Sequence, residues 1–297
     1  MATTKPLNPL IVIVGETATG KSDLALRLAE KFNGEIICAD SWTVRNKLDI
    51  GTAKPSSEEQ FRITHHLLNV VEPCQDFTAA VYKRLAQEAI NDIHSRGKLP
   101  IMVGGTGLYI DSVIYDFGFL APGNRQAREE LSSMTLEQLM HKIDELGLII
   151  GDIDVRNKRR LIRLIETNGA IPSRQMLRPK TLILGLKIDR DQLKNRIMKR
   201  VDNMFSDGLE IEVLGLSQLY GWDCEGLKGV GYAQWRGYFK GTQSLDQTRE
   251  KIIKASLDLA KRQRTWFKRD KSIRWQATPV NFYKIVETTT TFLNTPA

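Results

Sequence analysis

The segment Gly15-Glu16-Thr17-Ala18-Thr19-Gly20-Lys21-Ser22 spells G-x-x-x-x-G-K-S between the apolar run Leu10–Val14 and an apolar-periodic stretch that opens at Asp23. Few patterns constrain a fold as much. A strand, a glycine-bearing loop and a helix in that order aim consecutive backbone N–H groups and a helix N-terminus at one anion. Gly15, Thr17, Ala18, Thr19 and Gly20 are therefore the candidate walls of a phosphate cradle. Lys21 is placed to reach terminal phosphates, and the Ser22 hydroxyl to hold a Mg²⁺. The pattern does not say which phosphate compound binds, and ATP is its default reading.

The rest of the N-terminal part alternates strand and helix signals. Helices are expected over Asp23–Phe32 and Thr78–Ser95, and strands over Glu35–Ala39 and Pro100–Val103. Alternation of this kind predicts an α/β fold, a P-loop parallel sheet flanked by helices. Ligands of such sheets sit beyond the carboxyl ends of the strands. Asp40-Ser41 and Gly104-Gly105-Thr106-Gly107 occupy those positions beside the phosphate loop. After Phe117 the breaker Ala121-Pro122-Gly123-Asn124 opens a helical stretch, and the sheet resumes at Thr181–Ile188. A small helical insertion over 118–156 is predicted, between catalytic-core segments 1–117 and 157–297. Helices follow at Asp189–Phe205, Leu209–Leu219 and Leu245–Lys268. In the last, Ile252, Leu259 and Trp266 are expected on the buried side, opposite Lys254, Lys261, Arg264 and Lys268.

Charge and cysteine usage bound the partners and the compartment. The chain carries a net charge of +8, which suits a polyanion. Its basic residues cluster around Arg156–Arg163, Lys194–Arg200 and Lys261–Arg274. Three such clusters beside a phosphate loop point to nucleic acid. Cys38, Cys74 and Cys224 are odd in number and far apart, with no C-x-x-C pair, so free thiols in a reducing cytoplasm are expected. Met1–Pro9 lacks a signal-peptide pattern, and no apolar run nears the ~20 residues of a membrane span. The adjacent His65-His66 is read as structural rather than metal-ligating, and Trp222, Trp235 and Trp266 as core.

Asp40 leaves several readings open. A ribose-binding acid would need G-x-G-x-x-G, which this loop is not. The Mg²⁺-holding acid of an ATPase is one reading. A general base is another, since a carboxylate is ionised at neutral pH and can take a proton from an amine that turns cationic. Thr106, on a glycine-rich turn, can hydrogen-bond a leaving oxygen.

These residues together resemble the tRNA dimethylallyltransferases, also called tRNA isopentenyltransferases. The segments that carry the resemblance are Gly15–Ser22, Asp40-Ser41 with Asp49-Ile-Gly-Thr-Ala-Lys-Pro55, His65-His66-Leu-Leu and Val103–Tyr109. Arg159-Arg160-Leu-Ile-Arg163, Gly229-Val-Gly-Tyr232 with Gln234, and Lys261-Arg-Gln-Arg-Thr-Trp-Phe267 complete them, in family order over nearly the whole chain. Glu16 departs from the proline usual in the family, and Arg45 from a frequent tyrosine. The resemblance implies transfer of a prenyl group from dimethylallyl diphosphate to N6 of the adenosine beside the anticodon of a tRNA. It implies that the phosphate loop holds a diphosphate, with Lys21, Arg200 and Mg²⁺ at Ser22 neutralising charge as it leaves. Asp40 would orient the amine and accept its proton, and Thr106 would bond the bridging oxygen. The tRNA anticodon stem-loop would meet Asp40, Ser41, Trp42, Thr43, Arg159, Arg160, Arg163, Gly229, Val230, Gly231, Tyr232 and Gln234. Lys261, Arg262, Gln263, Arg264 and Trp266 would complete that surface, on a monomer with no membrane partner. Three rivals are an adenylate prenyltransferase, a small-metabolite kinase and a non-catalytic RNA-binding protein. The C-terminal basic segments oppose the first. The Gly104–Tyr109 turn opposes the second, and the third leaves Asp40 and Thr106 idle.

Overall fold

The computed structural model describes residues 8–121, 123–151 and 153–295. The expectations that fall on residues 1–7, on Pro122 and on Asp152 lie outside these. Two compact units are present, residues 1–114 with 177–297 and residues 115–176.

The larger unit begins with β1 (Leu10–Gly15), α1 (Lys21–Lys31), β2 (Gly34–Ala39), α2 (Ser57–Arg62) and β3 (His65–His66). It continues through α3 (Ala79–Ser95), β4 (Leu99–Gly104) and α4 (Gly107–Ile114). The strands are parallel, in the order β3-β2-β4-β1 with two later strands beyond β1. In β1 every residue is buried. Ile11 and Ile13 join Leu24, Leu28 and Ile36 in one cluster, so strand alternation turns Leu10, Val12 and Val14 to the other face. A strand buried on both faces is why the segment reads as an unbroken apolar run. Helix starts are fixed locally: Thr78 caps α3 by accepting from Val81 N, and Ser56 with Glu59 forms a capping box on α2.

The smaller unit holds α5 (Arg125–Ser133), α6 (Leu136–Glu145) and α7 (Lys158–Glu166). Leu131, Leu139, Ile143, Leu161 and Leu164 form its own core. The insertion expected over 118–156 is thus wider, 115–176, and takes α7 with it. The amphipathic face of α7, with Leu161 and Leu164 buried, closes this small core rather than the large one.

The larger unit resumes with β5 (Thr181–Lys187), α8 (Arg190–Ser206), α9 (Leu209–Tyr220), α10 (Arg236–Phe239), α11 (Leu245–Phe267), β6 (Arg274–Ala277) and α12 (Phe282–Asn294). β5 and β6 complete a six-stranded parallel sheet, β3-β2-β4-β1-β5-β6, among the described residues. Leu193, Ile197 and Val201 of α8 pack with Leu209 and Val213 of α9, with Tyr232 and Trp235, and with Ile252 and Ala260 of α11. The buried line of α11 is Thr248, Ile252, Ala260, Gln263 and Phe267. Leu259 and Trp266 are only partly buried, which corrects the expected seven-residue spacing.

The expectation of free thiols is also corrected. Cys74 and Cys224 form a disulfide with Cα atoms 4.7 Å apart, and Cys38 is free and buried. The segment after β3 is folded onto the turn Glu225–Lys228, where Gly226 N donates to Pro73 O at 2.9 Å. The disulfide joins positions 150 residues apart, a proximity that local spacing cannot reveal.

Glu35 on β2 is a buried acid, 1% exposed, bound by Arg96 at 2.7 Å, Lys98 at 2.7 Å and His66 at 2.7 Å. Those hydrogen bonds, Arg96 first, hold its carboxyl well below the usual carboxylate range, against the effect of burial. A group depressed in the fold stabilises fully above its unfolded value of 4.5, and the contribution fades as pH falls below it. Glu35→Gln should therefore lower unfolding free energy by about 2 kcal/mol at neutral pH. Denaturant titrations should show the gap to the parent beginning to close below pH 4.5 and still closing as pH falls toward the depressed folded value. A gap that stays constant with pH would show that the ion cluster contributes nothing.

Candidate active site

A cavity of about 450 Å³ opens at the carboxyl ends of β1, β2 and β4. Thr17, Ala18, Gly20, Lys21 and Ser22 line it from the phosphate loop, Asp40 and Trp42 from the end of β2, and Gly104 and Gly105 from the end of β4. Arg196 and Arg200 of α8, Val230 and Gly231, and Gln263 of α11 close it.

The loop curls as its sequence requires. Gly20 has φ +93° and Ala18 φ +62°, while a Cβ on Gly15 would lie 2.6 Å from Leu186 O. The Glu16 carbonyl accepts from Lys21 Nζ at 2.6 Å and from Thr19 Oγ1 at 2.8 Å. Burial and the neighbouring Arg200 lower the Lys21 ammonium pKa to about 8, against the opposing pull of Asp40 and Glu16. Burial likewise pushes Arg200 down, and Asp40 opposes that shift. Arg200 donates through Nη2 to Thr52 O at 2.9 Å and through Nη1 to Thr17 Oγ1 at 3.4 Å. Lys21, Arg196 and Arg200 outnumber the carboxylates that line the cavity, Asp23 and Asp40, and form a site for an anion.

Asp40 and Thr106 are tied together locally. Asp40 Oδ1 accepts from Trp42 N at 2.8 Å, a turn closed by its own side chain. Thr106 Oγ1 accepts from Ser41 N at 3.0 Å, and Thr106 N donates to Ala39 O at 3.1 Å. The hydroxyl of Thr106 thus braces the Asp40-Ser41 turn, and it donates to Ser41 Oγ at 3.4 Å. Thr43 is buried, with its hydroxyl 3.4 Å from Asp40 O.

Several residues expected on an RNA surface are engaged inside the protein. Gln263 Oε1 accepts from Thr17 N at 2.7 Å, and the Arg264 guanidinium pairs with the Glu16 carboxylate. Tyr232 is fully buried and donates to Glu212 at 2.7 Å, while Gln234 accepts from Gly231 N at 2.9 Å. Trp266 Nε1 donates to Asp111 at 3.0 Å. In the smaller unit Arg163 donates to Leu120 O and Ala121 O, each at 2.8 Å, and pairs with Glu166. Arg159, Arg160, Lys261 and Arg262 are exposed. The glycine-rich turn after β4 also has a second use. A Cβ on Gly105 would meet Gln263 Nε2 at 2.1 Å, and one on Gly107 the Trp266 ring at 2.3 Å. Both glycines admit α11, as Gly229 admits Trp42, whose ring a Cβ would approach to 2.9 Å.

Sequence reading missed Thr52 and Arg196, which line the cavity, and Glu16 as a partner of α11. Glu16 carried a signal, a charge in a loop position where the resembled family has proline.

A family model described as IPP transferase matches residues 44–270. The tRNA dimethylallyltransferase of Anoxybacillus flavithermus is 39% identical over 277 residues, covering 90% of this chain and 89% of that protein. The protein named tRNA dimethylallyltransferase 2 in Geotalea daltonii is 39% identical, covering 93% and 90%. Among solved structures, the tRNA isopentenylpyrophosphate transferase of Bacillus halodurans superposes with a TM-score of 0.74 at 34% identity, over 96% of this chain and 95% of that one. A eukaryotic dimethylallyltransferase acting on tRNA shares the fold, with a TM-score of 0.82 at 24% identity, over 97% of this chain and 80% of that one. With the phosphate loop, the cationic cavity and these matches along most of its length, the chain belongs to the IPP transferase family.

Proposed function

We propose that this protein transfers a dimethylallyl group from dimethylallyl diphosphate to N6 of the adenosine beside the anticodon of a tRNA, releasing diphosphate. The observation that carries the reading is the convergence of Lys21 and Arg200 with Asp40 in one cavity. The cations bind the diphosphate, and the bond from its bridging oxygen to the allylic carbon breaks with the electron pair leaving on that oxygen. The carbon becomes cationic and bonds to N6. Lys21, Arg200 and the Thr106 hydroxyl stabilise the charge that grows on the leaving group. Asp40 holds the amine and takes its proton, which the conjugated, weakly basic nitrogen must lose. The adenine is stacked in free RNA and must be extruded to reach the cavity.

Mg²⁺ suits the donor set present. Ser22 is exposed at the start of α1 and lines the cavity. No cluster of three metal-ligating side chains exists among the described residues. Ser22 would thus hold the ion together with diphosphate oxygens, the arrangement Mg²⁺ favours. When bound, the ion supplies further neutralisation of the leaving diphosphate.

The exposed cations Lys261 and Arg262 of the larger unit, and separately Arg159 and Arg160 of the smaller, are available to tRNA phosphates. Phosphate contacts fix the register of the tRNA. No helix among the described residues is long and apolar enough to cross a membrane. A monomer acting on tRNA in the cytoplasm completes the proposal. Offering the protein unmodified tRNA with dimethylallyl diphosphate in one vessel and ATP in another tests it. Prenylated adenosine with released diphosphate supports the reading, and ATP hydrolysis alone overturns it.

The two arginines of α11 are expected to separate. Arg262→Ala should weaken tRNA binding and flatten its salt dependence by roughly one phosphate, about 0.7–0.9 in log–log slope. Arg264→Ala should leave that slope in place and weaken donor binding, because its guanidinium holds the phosphate loop through Glu16. Filter binding over a salt series measures both, and equal slopes for the two variants would place Arg264 on the RNA.

A further inference from the structure

Gly51, Thr52, Ala53 and Pro55 line one wall of the cavity, and a carboxylate outside the cavity holds their segment. Glu212 of α9 accepts from three consecutive backbone N–H groups, those of Asp49 at 3.1 Å, Ile50 at 2.8 Å and Gly51 at 3.1 Å. The Tyr232 hydroxyl adds a fourth bond at 2.7 Å. Both oxygens are engaged, Oε2 by Asp49 and Ile50, Oε1 by Gly51 and Tyr232. Successive amides curled round an oxyanion form a nest, and here the anion is the protein's own. The Tyr232 ring lies flush against Gly51, where a Cβ would come within 2.5 Å of it.

The next residue faces the chemistry. Thr52 O accepts from Arg200 Nη2, and Nη1 of the same guanidinium meets Thr17 Oγ1 on the phosphate loop. A guanidinium aimed by neutral acceptors keeps its charge for a ligand. Its direction then depends on where the Thr52 carbonyl stands, and the bonds to Glu212 set that position.

We propose that Glu212 is a positioning residue for the transfer, acting through the Asp49–Thr52 backbone to aim Arg200 at the diphosphate. The proposal rests on the reading of Arg200 as a diphosphate ligand. Glu212→Gln places an amide NH₂ against N–H or O–H donors whichever way it turns. Loss of well-placed charged hydrogen bonds should raise the Kd for inorganic diphosphate, and the KM for dimethylallyl diphosphate, by about tenfold. The Kd for tRNA should move by less than about twofold, as RNA phosphates meet other side chains. In an Arg200→Ala background the same substitution should add less than about twofold, because the coupling passes through the missing guanidinium.

Tyr232→Phe serves where Glu212→Gln does not fold. It removes one of the four bonds and should raise the diphosphate Kd by about threefold, again only when Arg200 is present. Equal effects with and without Arg200, or an unchanged diphosphate Kd in the folded variants, would overturn the proposal. A loss confined to the fraction of active protein would also overturn it, leaving Glu212 a fold-holding residue. Inorganic diphosphate binding, read by calorimetry, needs no prenyl transfer. Failure of the donor assignment is therefore visible in the parent protein, separately from failure of the Glu212 coupling.

Discussion

Asp40→Asn is expected to lower kcat by roughly 10²–10⁴, the usual share of general acid–base catalysis, while both substrates still bind. The geometry makes this substitution a clean probe. The carboxyl Oδ1 accepts from Trp42 N, and an asparagine carbonyl can accept the same N–H, so the turn after β2 survives. What disappears is the negative charge beside Lys21 and Arg200 and the basicity needed for the N6 proton. Asp40 also supports the Lys21 ammonium, so single-turnover rates should be compared below pH 7, about one unit under the point where that ammonium begins to titrate. If Asp40 were a metal ligand, the defect would be weak donor binding relieved by excess Mg²⁺. If it were only the cap of the turn, turnover would hold and thermal stability would fall.

Lys21→Ala should weaken donor binding by roughly 30- to 900-fold, equivalent to about 2–4 kcal/mol for one charge-assisted contact in a partly dry site. Affinity for tRNA should be nearly unchanged. In the parent, Lys21 titrates at about 8 because of burial and Arg200. Donor affinity should therefore fall as pH rises through that value, since the diphosphate needs the protonated amine. Lys21→Ala should erase this pH dependence, and a persisting dependence would assign it to another group. The ligand-free variant should also melt higher than the parent at neutral pH. A lysine whose pKa is lowered in the fold opposes folding wherever the unfolded chain would be protonated and charged, and the opposition lifts as pH climbs past the folded value. Glu16 O, left by Lys21 Nζ, still accepts from Thr19 Oγ1. Calorimetric scans of both chains with and without inorganic diphosphate would show the reversal.

The parts of the fold that were legible are those whose physics is local. β1, β2, β4 and β5 are short apolar runs bounded by turns, and the phosphate loop carries its own glycines. β3 and β6 were not legible, being two and four residues long with no buried side chain. Each lies at an edge of the sheet and exists only because a neighbour offers a free ladder. The end of the insertion was misplaced because Lys158–Arg163 read as basic and therefore as RNA-facing, when every third or fourth residue of α7 packs inward. Asp40, Lys21 and Arg200 were named in advance and meet in one cavity. Gln263 and Tyr232 were named for a surface, but lie within the protein. A motif records that a residue matters, and it does not record whether the residue faces a ligand or another part of the chain. The disulfide and Glu212 had no local pattern at all.

The hydrogen bond from Thr17 N to Gln263 closes a separation of 246 residues. A ribosome making this protein therefore delivers the phosphate loop 246 residues before the glutamine that grips it. Until β5 emerges, β1 has a sheet neighbour on one side only. Until Gln263 and Arg264 emerge, nothing holds the loop from α11. A nascent chain that ends before α11 carries an intact phosphate-loop motif without the bonds that fix it from α11.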